Sequence, residues 1–114
     1  MARVDSFLRL VIEQKASDLH FHAGNPPIIR HDGELVPLPF RVLSPEEVQR
    51  FLMEILSPEQ QAVLARDREI DLAYVMDGIG RFRVCVFAQS RGLGAVFRII
   101  PERIPTLDEL GLPV

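Results

Sequence analysis

A chain of 114 residues, 47% hydrophobic and 25% charged, suits one domain with a single core and is too apolar to remain disordered. No apolar run approaches the ~18 residues of a membrane-spanning helix, and a lone cysteine, Cys85, excludes an internal disulfide framework and fits a reducing compartment. A net charge of −3 without tryptophan argues against a broad nucleic-acid surface, so no nucleic-acid partner is expected.

Residues 3–15 place Val4, Phe7, Leu8, Val11 and Ile12 at helical spacing with charges opposite, which predicts an amphipathic helix. Leu19 and Phe21 then alternate with Asp18, His20 and His22, a strand pattern that ends at the Gly24-Asn25-Pro26-Pro27 turn. Asp32-Gly33 joins Ile28–His31 to Glu34–Leu38 as a two-residue hairpin, because that dipeptide accepts positive φ.

Ser44-Pro45-Glu46-Glu47 and Ser57-Pro58-Glu59-Gln60 are two helix starts with one logic. The serine caps, proline takes the first helical position, and Glu or Gln three residues on closes the box. The first helix is expected to run to about Ile55 and bury Val48, Phe51, Leu52 and Ile55; the second spans about Pro58–Ala65 and buries Ala62 and Leu64. Glu69–Met76 returns to strand alternation, Gly78 and Gly80 mark a turn, and residues 80–100 form a hairpin that completes a three-strand meander. The fold class is therefore α+β, with an antiparallel sheet and helices on one face. Thr106 opens a further capping signal, and Leu-Pro-Val directly after it reads as a cut in a longer protein.

The final hairpin raises the functional question. Residues 78–103 hold five arginines and one acid, Glu102, so the remainder of the chain is strongly acidic. Such a distribution fits a small, localised anion site better than a polyanion surface. Arg81 and Arg83 share a strand face with Cys85, and a separation centred on the Ser90–Gly94 turn makes Arg83 and Arg98 neighbours on adjacent strands. Two guanidinium groups held together repel unless an anion lies between them, and their planar forks suit phosphate oxygens. On residue types alone, ordinary pairing with Glu69 or Asp71 explains Arg83 and Arg98 more simply.

Other candidate chemistry is weaker. His20 and His22, with His31, Asp18 or Cys85, could hold a transition metal, but the spacing is loose and no metal is expected. Cys85 reads as a small packed side chain and not a nucleophile, and Glu69 with Asp71 as a solvated or arginine-bonded pair. No phosphate loop, dinucleotide fingerprint or nucleophile elbow occurs, so no catalytic residue is assigned within the chain.

Four stretches together give a resemblance: ASDLHFHAGNPPIIR (16–30), DGELVPL (32–38), GRFRV (80–84), and GAVFRIIP with IPTLDELGLP (94–113). In order and spacing the chain resembles the N-terminal domain of the type IV pilus retraction (twitching-motility) ATPases of the secretion ATPase superfamily. Cys85 stands where that family often has Asn, and His22 where a smaller polar residue is common. The resemblance implies a PAS-like domain over residues 1–104 and a linker, 105–114, leading to a RecA-like ATPase core. It further implies a cytoplasmic homohexamer at the inner-membrane base of the pilus, beside the platform proteins, using ATP and Mg in the full-length protein and no cofactor in the isolated domain. The domain would pack on its own and the neighbouring subunit's core. Arg83 and Arg98 match the family's pair that reaches the ATP phosphates, which reverses the simpler reading; Arg81 would support them. A PAS-like small-ligand sensor or interaction domain is the alternative.

Overall fold

The computed structural model describes residues 3–100. The elements are α1 (Asp5–Glu13), β1 (Asp18–His22), β2 (Ile28–His31), β3 (Glu34–Pro37), α2 (Pro45–Met53), α3 (Pro58–Asp67), β4 (Glu69–Met76), β5 (Gly80–Gln89) and β6 (Gly92–Ile100). All six strands join one antiparallel sheet ordered β3-β2-β1-β6-β5-β4. The two strand groups that α2 and α3 separate in sequence are thus fused, through β1 lying against β6 from Asp18–Arg98 to His22–Gly94.

The helices cover one face. Leu19 and Phe21 of β1, Phe82, Val84 and Val86 of β5, and Ala95 and Phe97 of β6 point to that side and are buried with Leu8 and Val11 of α1 and Val48, Phe51 and Leu52 of α2. Period-two burial along β5 leaves Arg81, Arg83 and Cys85 on the other, uncovered face. A partly buried hydrogen bond adds direction to this apolar packing. Tyr74 Oη on β4 donates to Asp5 Oδ1 at 2.7 Å, fixing the start of α1 to the sheet edge.

Both serine boxes form as expected. Ser44 Oγ accepts from Glu47 N and Ser57 Oγ from Gln60 N, with each partner side chain returning to the serine N–H. The second box also shortens α2. Ser57 is extended, so the preceding helix stops at Met53; Leu56 turns inward, and Ile55 is only half-buried. Ala62 is exposed, contrary to expectation: it lies two residues, some 200° of helical rotation, from Leu64, and the core takes Leu64. Asp32 and Gly33 have φ of 50° and 81°, the two positive values that the tight turn between β2 and β3 demands. The capping signal at Thr106 and the linker assigned to 105–114 lie outside the described residues.

Candidate functional site

The uncovered face is organised in cross-strand rows. One row runs Leu35, Arg30, Asp18, Arg98, Arg83, Ala73 across β3, β2, β1, β6, β5 and β4. Arg83 and Arg98 are therefore not merely near neighbours but directly opposed, where Cα atoms in an antiparallel pair stand about 4.5–5.5 Å apart. Arg81 follows on the same face between Val75 and Ile100. The next row towards the other end of the strands holds His20, Val96, Cys85 and Asp71.

The acids do not take up both arginines. Glu69 is opposite Phe87, Asp71 opposite Cys85, and the residue beside Arg83 on β4 is the uncharged Ala73. Arg83 and Arg81 are exposed and make no ion pair or side-chain hydrogen bond among the described residues. Arg98 is tied down, but by neither Glu69 nor Asp71: its Nε donates to Asp18 Oδ1 at 3.2 Å. Asp18 Oδ2 lies 3.4 Å from Arg30 Nε on the other side. The row therefore alternates Arg30, Asp18, Arg98 and then breaks the alternation at Arg83. It carries more positive charge than its one carboxylate neutralises. Arg83 and Arg98, with Asp71, Cys85 and Val96, line an open depression of about 310 Å³.

The three histidines do not gather into one site. His20 and His22 stack on the uncovered face at 5.9 Å, whereas His31 follows the inward parity of Ile29 on β2 and shares no face with them. Among the described residues no three His, Cys, Asp or Glu side chains converge as a metal cluster would require. Burial lowers the pKa of His20; the Asp18 carboxylate opposes that, while Arg30 and Arg98 reinforce it. His22 is lowered by burial and then by His20. Burial, with the negative charge of the Asp71 carboxylate on the neighbouring strand, pushes the Cys85 thiol up, away from the thiolate a nucleophile needs.

Sequence reasoning placed Arg83 and Arg98 side by side, as the strand register does, but named Asp18 only as a possible metal ligand and gave Arg30 no role. Asp18 faced the same way as His20 by simple alternation, and the hairpin that puts Arg30 opposite it was legible. The pairing of Asp18 with Arg98, 80 positions away, had no local signal.

No protein-family model matches the chain. The type IV pilus retraction ATPase PilT of Pseudomonas aeruginosa is 38% identical over 109 residues, covering 96% of this chain and 32% of that protein. The type IV pilus ATPase PilU of the same organism is likewise 38% identical over 109 residues, covering 96% and 28%. The chain thus spans less than a third of the length of these curated relatives. Among solved structures, the pilus retraction motor PilT with bound ADP superposes with a TM-score of 0.86 at 34% identity, covering 99% of this chain and 33% of that one. The Legionella pneumophila ATPase DotB follows at 0.78 and 27% identity, covering 96% and 31%.

Proposed function

Because this chain is homologous to the N-terminal part of the type IV pilus ATPases, we propose that it is the N-terminal domain of a hexameric, ATP-driven pilus retraction motor. In this reading residues 1–104 form the domain, 105–114 lead into a RecA-like core that holds ATP and Mg, and the uncovered sheet face packs on the neighbouring subunit's core. Arg83 and Arg98 then supply guanidinium groups to that subunit's ATP phosphates, with Arg81 supporting them. The chain by itself performs no catalysis, and the assembled motor works in the cytoplasm against inner-membrane platform proteins. No helix among the described residues is long and apolar enough to cross a membrane.

One observation carries this reading: two directly opposed arginines on the uncovered face, one of them without any acid of its own among the described residues. Holding like charges together is unfavourable in isolation and becomes favourable when a phosphate accepts from both. A guanidinium placed at a transferring phosphoryl group stabilises charge that grows in the transition state, worth about 10³- to 10⁵-fold in well-studied cases. It also couples domain position to nucleotide state, since the anion leaves with the γ-phosphate. The sensor alternative has less support. Phe21, Phe82 and Phe97 are wholly buried in the core, and the groove of about 450 Å³ between α2, α3 and the β5–β6 turn opens on the surface.

Steady-state hydrolysis by the full-length protein tests the proposal. Arg83→Ala is expected to lower turnover at least about 10-fold while the ring assembles normally in light scattering. The 114-residue chain alone should release no phosphate from ATP. Unchanged turnover in both Arg83→Ala and Arg98→Ala would overturn the reading.

A further inference from the structure

Asp18 is an anomaly on the uncovered face. Its side chain is 3% exposed although its row is otherwise open, because the Arg98 and Arg30 side chains of the flanking strands close over it. A carboxylate is kept from water only where charge and hydrogen bonds compensate it, and here each oxygen has its own guanidinium. Strand β1 is hydrogen-bonded to β2 on one side and β6 on the other, so the backbone fixes Asp18 midway between the two arginines.

The contact with Arg98 uses Nε alone. The two terminal nitrogens of that guanidinium take no protein acceptor among the described residues, and the side chain is 69% exposed. Arg98 therefore has two functional ends: an inner nitrogen anchored to Asp18 and an outer fork presented beside Arg83. Without the anchor, Arg98 would be a flexible side chain next to an unneutralised positive neighbour, and repulsion would turn it away.

We propose that Asp18 is a positioning residue for the anion site: it grips Arg98 by Nε so that the outer fork stays beside Arg83, aimed at the same phosphate. Arg30, on the second carboxylate oxygen, keeps Asp18 from swinging round to capture the whole Arg98 guanidinium. This inference rests on the preceding reading of Arg83 and Arg98, and it adds a residue that never touches nucleotide.

The test is a double-mutant cycle on ATP turnover in the full-length protein, with thermal unfolding alongside. Asp18→Asn is expected to reduce kcat about 10-fold with KM for ATP nearly unchanged, and to cause no further loss when added to Arg98→Ala. A merely structural Asp18 would give losses that multiply, and that result overturns the proposal. Impaired Arg98→Ala beside unimpaired Asp18→Asn sinks the positioning role alone; unimpaired Arg98→Ala removes Arg98, and with it the positioning role, from the anion site, and unimpaired Arg83→Ala besides removes the underlying reading as well. Arg98→Lys guards against Asp18→Asn failing to fold. Lysine keeps the charge but has one nitrogen, which Asp18 captures, so its turnover should match Arg98→Ala; wild-type turnover in Arg98→Lys would refute the anchor.

Discussion

Strand β5 presents two opposite solutions on its two sides. Phe82, Val84 and Val86 are wholly buried against the helices, whereas Arg81 and Arg83, one residue away in each case, stand in the open. The covered side is interchangeable in kind: any set of apolar shapes that fills the volume would hold the helices. The open side is not, because solubility alone does not require guanidinium groups set directly opposite each other. Residues that stabilise and residues that serve a partner are thus separated by the pleat, and substitutions on the two sides should differ in size and in sign.

The largest effect belongs to the covered side. Phe82→Ala removes a fully buried ring from a strand paired on both sides and is expected to destabilise by about 3–5 kcal/mol, read from urea denaturation. A loss below about 1 kcal/mol would mean that the core can close around the void, and would blur the contrast between faces.

Arg98→Gln comes next, and it makes the open face less uniform than its exposure implies. The substitution leaves Asp18 buried with only Arg30 for a charged partner, so a loss of about 1–3 kcal/mol is expected. Ser57→Ala, which removes one half of a capping box, should cost about 1 kcal/mol and leave the sheet intact by hydrogen exchange.

A pH dependence follows from the stacked histidines. Both have pKa values below the ordinary 6.5 because burial disfavours the charged ring, so the unfolded chain binds protons more readily than the folded one. Their contribution is fully present above pH 6.5 and is lost as pH falls below it towards the lowered folded values. The urea midpoint should therefore drop between pH 7.5 and 5.5, and His20→Gln with His22→Gln should flatten that drop. An unaltered slope in the double variant would assign the pH response to other groups.

Legibility in the sequence follows the range of the interaction. The serine boxes, the Asp32-Gly33 turn and the β4–β6 meander are encoded within a few residues and were readable. Closure of β1 onto β6 was not, because strand alternation states which way side chains point and not which strand lies alongside. That one pairing makes a single sheet, buries Asp18 and holds Arg98, so the part of the site that depends on it was hidden. The arginine pair itself was visible because β5 and β6 are joined by a short turn.

The smallest expected change is at Arg83. It has no partner among the described residues, its β4 neighbour is Ala73, and its β6 neighbour is another arginine. Removing it relieves repulsion and breaks nothing, so Arg83→Gln in the 114-residue chain should shift stability by less than about 0.5 kcal/mol and in the stabilising direction. Low salt should widen the gain and high salt erase it, since the repulsion acts across solvent. Arg98→Gln, one strand away, should instead destabilise at every salt concentration. If both substitutions destabilise alike, Arg83 has a stabilising contact within the domain and is not held ready for an external anion. Opposite signs for two directly opposed arginines would mean that Arg98 belongs partly to the fold, while Arg83 waits for whatever this face meets.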